Sequence, residues 1–221
     1  MVLGDLNIKD AEKVAEEIRQ SGGEAAAFKM DVTNESEIKA LVEFAVNKYG
    51  GVDILHNNAA AIGAIDKAVT ADYAADILNI DMKIYDRTME VNLRSYILTM
   101  RYAVPEMLKR GGGSIINTSS IASINAGTRG HAYAISKAGI NVLTRAVAAT
   151  YGKNKIRCNA VLPGAIVRTG NVDPNRPPII SGPNMGQPRD IANMVVFLAS
   201  DQTAGYINGS LMLVDGGLTL R

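Results

Sequence analysis

The chain has 221 residues, of which 47% are apolar and 20% charged, with 21 glycines. That length suits one domain spanning residues 1–221 with a sizeable core, and the composition excludes global disorder. Lysine and arginine number 23 against 22 acids, so no chain-wide field draws in nucleic acid or anionic lipid, and a chain without Trp offers a poor base-stacking platform. A single cysteine, Cys158, leaves no internal disulfide and fits a reducing compartment. No apolar run approaches the ~18 residues of a spanning helix, and no basic leader precedes an apolar stretch, so the expectation is a cytoplasmic protein without membrane contact.

Strand and helix patterns alternate. Residues 1–5 read as the end of a short strand. Asn7 can cap a helix whose apolar stripe is Ala11, Val14, Ala15 and Ile18, stopped by Gly22-Gly23. Residues 25–30 form a short apolar strand ending at Asp31. Asn34 with Glu37 resembles a capping box before a stripe of Ile38, Leu41, Val42, Ala45, Val46 and Tyr49. Residues 52–56 are a third strand, leading into Asn57-Asn58-Ala59-Ala60.

A long helix is predicted over 82–109, stopped by Gly111-Gly112-Gly113, then a buried strand at 114–119. A second long helix covers 131–151, a strand 156–162, a helix 188–199 and a strand 211–214. This alternation implies right-handed crossovers: an α/β, doubly wound parallel sheet, Rossmann-like, with helices on both faces. Six of the seven prolines fall between Pro163 and Pro188, so that stretch is a long irregular connection after a strand's carboxyl end, a candidate lid.

Tyr133 and Lys137 stand four apart in the 131–151 helix and so share one face. An ammonium beside a phenol favours the phenolate by ~1–3 pKa units, which lets the phenol exchange a proton with an alcohol or carbonyl near neutral pH. Ser120 ends the preceding strand and can hydrogen-bond the same oxygen. A lone Tyr-x-x-x-Lys is common on helix surfaces; further motifs give it context. Asn57-Asn58-Ala59-Ala60 follows one strand, Val91-Asn92-Leu93 lies mid-helix, and Thr118-Ser119-Ser120 ends a strand. Asn159-Ala160-Val161-Leu162-Pro163-Gly164 and Val214-Asp215-Gly216-Gly217 end two more. In this order and spacing the chain resembles the short-chain dehydrogenase/reductase family from end to end.

The resemblance implies an oxidoreductase that passes hydride between a secondary alcohol or ketone and NAD, with NADP disfavoured. It makes Tyr133 the acid/base, Lys137 the group that assists it and holds the nicotinamide ribose, Ser120 the residue orienting the substrate oxygen, and Asn92 the holder of a relay water. For the cofactor it implies Asp5 at the adenosine ribose, Asp31 and Val32 at the adenine, and Asn58, Ala59 and Ala60 beside that ribose. Pro163, Gly164 and Ile166 would line the nicotinamide, with Tyr133 and Lys137 also in contact. A carboxylate such as Asp5 accepts from a free 2′-hydroxyl and repels a 2′-phosphate. A tetramer or dimer through the helices 82–109 and 131–151 is implied as well.

The pattern departs from the family in places. The family opens with a strand, a Gly-rich turn and a helix that hold the pyrophosphate, and the first strand is central in the order 3-2-1-4-5-6-7. This sequence opens at what resembles the second strand. The expectations are a sheet missing its first βα unit, weak dinucleotide binding and low activity, from either a shortened version of an enzyme or a genuine truncated relative. Ala60 replaces a usual Gly, Thr169 sits one position late, and the stretch to Pro188 is shorter and Pro-rich. A rival reading is an inactive homologue acting as an oligomer subunit or interaction protein. A serine hydrolase using Ser120 is poorly supported, since no Gly-x-Ser-x-Gly surrounds it. His56 reads as a packing or capping residue, His131 as a helix cap or a substrate contact, Cys158 as packing, and no cluster has metal-ligand spacing.

Overall fold

The computed structural model describes residues 1–61, 77–125, 130–167 and 185–220. β1 (Val2–Asp5) and β2 (Ala26–Lys29) pair in parallel, with Val2 opposite Ala26, and α1 (Ile8–Gln20) crosses between them. Asn7 caps α1 as expected, its side chain accepting from the Lys9 N–H at 3.2 Å. Ala11 and Ala15 face inward, but Val14, predicted on the same stripe, is 44% exposed. The sheet beneath α1 has only two strands, too narrow to cover the whole stripe.

α2 (Glu35–Tyr49) starts from Asn34 and turns Ile38 and Val42 inward; Gly50 ends it in the left-handed region. Glu37 does not complete a reciprocal capping box. One of its oxygens takes the Asn34 amide and the other takes the Asp31 N–H at 2.8 Å, so it ties the helix start to the loop after β2.

β3 (Ile54–Asn57), β4 (Gly113–Thr118), β5 (Ile156–Pro163) and β6 (Leu211–Val214) form a second parallel sheet in that order. Alternate residues of β4 face opposite layers. Ile115 packs with Ile156 and Cys158 against Met100, Val104, Met107 and Ala148, whereas Ile116 packs with Val161 against Leu198 and Ala204. β5 is buried on both faces, as a central parallel strand is, with Arg157 and Asn159 interrupting its apolar residues. Gly112 is required at φ 153, where a Cβ would lie 2.8 Å from the Lys155 carbonyl oxygen.

The predicted 82–109 helix is interrupted. α3 (Met82–Met89) passes into a π-helical turn, Glu90–Arg94, and then α4 (Ser95–Arg110). α5 (His131–Tyr151) and α6 (Pro188–Ala199) follow their predicted ranges, and a short α7 (Asp201–Ala204) was not anticipated. α7 is anchored from β5: the buried Arg157 donates to the Leu198 carbonyl at 2.8 Å and to Asp201 at 2.8 and 3.0 Å. Residues 168–184, which carry most of the predicted lid and Thr169, lie outside the described residues.

The sheet is therefore split between β1 and β3, as expected without the first strand. Side chains bridge the split. Met30 and Ile38 pack with Leu98, Val32 packs with Ala61, Val91 and Ile84, and Glu35 accepts from the Tyr102 hydroxyl at 2.8 Å and lies 3.4 Å from Arg101.

Candidate active site

The residues singled out by sequence gather at the carboxyl ends of the parallel strands, where open α/β sheets bind ligands. Asp5 ends β1 and is exposed, its Oδ1 accepting from the Asn7 N–H at 2.8 Å. Asp31 and Val32 follow β2. The Thr33 amide at 2.9 Å holds the Asp31 carboxyl below the ordinary carboxylate range, with help from the Thr33 hydroxyl and Arg87. Asn58 and Ala59, after β3, are exposed and Ala60 is half-buried. After β5, the Gly164 N–H donates to the Val214 carbonyl at 3.0 Å, and a Cβ on Gly164 would fall 2.7 Å from Asp215 Cα. Pro163 is half-buried opposite Val214, and Ile166 pairs with Gly186. The Asp215 carboxylate closes its own turn, accepting from the Gly217 and Thr219 amides at 3.0 and 2.9 Å.

β4 and α5 build the chemical centre. Lys137 is 1% exposed, and its Nζ donates to the Thr118 carbonyl at 2.8 Å. Nζ stands 5.6 Å from the centroid of the half-buried Tyr133 ring, so the predicted shared face is present. Burial pushes the Lys137 amine down to about 7. The Ser119 hydroxyl donates to the Lys137 carbonyl at 3.0 Å, pinning the strand end to the helix. Ser120 Oγ accepts from the Ala122 N–H at 3.1 Å, which leaves its own proton for another acceptor.

Asn92 sits in the π turn and is fully buried. Its Oδ1 accepts from the Ala61 N–H at 2.6 Å, and its Nδ2 donates to the Ala61 carbonyl and to Ser136 Oγ, both at 3.2 Å. The Ser136 hydroxyl in turn donates to the Tyr133 carbonyl at 2.7 Å. One amide thus clamps the segment after β3, the π turn and α5 together; π turns of this kind recur at functional sites.

Sequence reasoning missed Tyr96, which lies beneath Lys137. Its position four residues after Asn92 was the available signal. The Thr118 carbonyl was also missed, because a main-chain acceptor leaves no trace in residue identity. His56 Nε2 lies 3.0 Å from Thr118 Oγ1. His131 Nδ1 is buried without a partner among the described residues. Burial pushes the Cys158 thiol up to about 12, in keeping with a packing role. No helix among the described residues is long and apolar enough to cross a membrane.

A family profile described as enoyl-(acyl carrier protein) reductase matches residues 1–219. The chain is 34% identical to a 7alpha-hydroxysteroid dehydrogenase of Bacteroides fragilis, over 100% of its own length and 85% of the relative's. It is 35% identical to a cyclohexanol dehydrogenase of Acinetobacter, with the same coverage. Among solved structures, a short-chain dehydrogenase/reductase from Burkholderia xenovorans superposes with a TM-score of 0.88 at 31% identity, covering 100% of this chain and 84% of the other. A 7 alpha-hydroxysteroid dehydrogenase complexed with NADH and 7-oxo glycochenodeoxycholic acid superposes with a TM-score of 0.85 at 35% identity, covering 98% and 83%. The interlocked Asn92, Tyr133 and Lys137, the parallel sheet and these matches agree that the chain belongs to the short-chain dehydrogenase/reductase family of oxidoreductases.

Proposed function

We propose that the chain is a cytoplasmic NAD-dependent dehydrogenase/reductase that interconverts a secondary alcohol and a ketone, working as a single domain over residues 1–221 within a homotetramer or homodimer. The observation carrying this reading is the buried Lys137 amine over the half-buried Tyr133 ring. The ammonium stabilises the phenolate, so Tyr133 Oη takes the alcohol proton in oxidation and returns it in reduction. Ser120 donates to the substrate oxygen and stabilises the developing alkoxide. The relay water assigned to Asn92 would lie beside a side chain whose two amide protons are already used. When bound, the nicotinamide supplies the hydride acceptor or donor.

The donor set suits both ends of a dinucleotide. Asp5 is exposed to accept from ribose hydroxyls, the half-buried Val32 offers apolar surface for adenine, and Lys137 is a donor near Tyr133. Asp31, Asn58, Ala59, Ala60, Pro163, Gly164 and Ile166 complete this assignment. Among the described residues, no Gly-rich strand-to-helix turn stands between β1 and β3 to meet the pyrophosphate. Asp5→Ala is expected to weaken NAD binding about tenfold or more and to narrow the preference over NADP. Competition titrations with the two cofactors check this; an unchanged ratio removes Asp5 from the ribose site.

The split sheet favours a second reading, an inactive subunit or interaction protein. NADH fluorescence titration decides between them, run on the 221-residue chain and on the same chain preceded by a Gly-rich strand–turn–helix unit. The enzyme reading expects weak binding by the first and tighter binding by the second. No binding by either form supports the inactive reading.

A further inference from the structure

Tyr96 lies on α4, is 1% exposed, and has a polar tip directed at the end of β4. Its hydroxyl donates to the Thr118 carbonyl at 3.3 Å, the same oxygen that accepts from Lys137 Nζ at 2.8 Å. Lys137 Nζ is 5.6 Å from the Tyr96 ring centroid and 5.6 Å from that of Tyr133, so the amine sits between two aromatic rings with one carbonyl as its anchor. Among the described residues, no carboxylate forms an ion pair with Lys137. Among the described residues, the titratable groups facing it are Tyr96 from α4 and Tyr133 from its own helix.

We propose that Tyr96 is a positioning residue for Lys137: its ring supports the ammonium electrostatically, and its hydroxyl helps hold the Thr118 carbonyl where the amine docks. The proposal rests on the reading of Tyr133 and Lys137 as the proton-exchanging pair. A lysine ends in a compact charge on a flexible four-carbon stem, so its location depends on what surrounds it. Removed from water without a carboxylate partner, the ammonium is stabilised by a carbonyl dipole and by the negative faces of aromatic rings. Burial holds the Tyr96 hydroxyl far above its ordinary ionisation range, so Tyr96 stays a neutral donor. Without the Tyr96 ring, the amine keeps one ring and one acceptor and yields its proton more readily.

The test follows the Lys137 ε-methylene by NMR in lysine-labelled protein across a pH titration, assigned with Lys137→Arg. Tyr96→Met, which fills a similar volume without a ring, is expected to make the amine about three- to tenfold more acidic. Tyr96→Phe, which restores the ring, is expected to stay within about twofold of the native constant. An unchanged constant in Tyr96→Met, or equal shifts in both variants, overturns the proposal. If Tyr96→Met does not fold, the native protein decides. Lys137 ε-protons shifted upfield by the two rings support the arrangement, and ε-protons at their random-coil position overturn it. The titration requires neither cofactor nor turnover, so it fails independently of the Tyr133 assignment, which turnover tests.

Discussion

Replacing Tyr133 with Phe is expected to lower NAD-linked oxidation of a secondary alcohol by about 10²–10⁴-fold while the fold survives. Phenylalanine keeps the ring that faces Lys137 Nζ at 5.6 Å and the main-chain carbonyl that accepts from Ser136, so packing and the α5 hydrogen bonds persist. Only the hydroxyl that carries the proton is lost. The measurement is NADH absorbance change at matched cofactor saturation, beside thermal melts of both proteins. Native turnover in Tyr133→Phe would reject the acid/base assignment. A loss of turnover accompanied by a collapsed melting transition would locate the defect in folding.

Lys137→Met is expected to stabilise the protein and to alter how its stability depends on pH. The Lys137 amine moves from an ordinary 10.5 in the unfolded chain to about 7 in the fold, because burial penalises its charged form. Between those values the unfolded state binds more protons, so stability rises with pH across that window. Below about 7 both states are protonated and the full penalty is present, on the order of 5 kcal/mol. Methionine keeps most of the volume and removes the charge. Urea unfolding should therefore show its largest gain at neutral pH and below, shrinking toward pH 10. Turnover should fall, because the phenolate loses its counter-charge. An unchanged pH slope in Lys137→Met would show that the amine is not the source of that dependence. A site that spends stability on a buried cation exemplifies the trade between stability and activity.

How much was legible follows from which signals are local. α5 and α6 matched their predicted ranges because Gly152 and Pro188 punctuate them, and β5 was visible as a run buried on both sides. The pairing of Tyr133 with Lys137 follows from helical spacing alone. The π turn at Glu90–Arg94 left no such mark, since the extra residue is accommodated by a tertiary bond from Asn92 to Ala61, distant in sequence. Glu37 looked like the partner of Asn34 and instead also reaches Asp31, a choice made by the loop after β2. Val14 fits an inward stripe, yet its exposure depends on the width of the sheet below, which periodicity does not encode. Tyr96 carried no mark of its own within the predicted 82–109 helix; only the position of the β4 end makes its hydroxyl matter.

The parting between β1 and β3 also has a mechanical consequence. Within either sheet, ladder bonds lock neighbouring strands into a fixed register, whereas across the parting the alignment depends on interdigitated side chains such as Ile38 with Leu98 and Val32 with Ala61. Such contacts resist separation but tolerate small sliding, as packed helices do in shear motions. The two sheets are therefore joined by side chains alone, apolar ones together with the Glu35 bonds to Tyr102 and Arg101. The span from Asp5, at the end of β1, to Tyr133, on α5 beside the other sheet, is thus set by side-chain packing and not by ladder bonds.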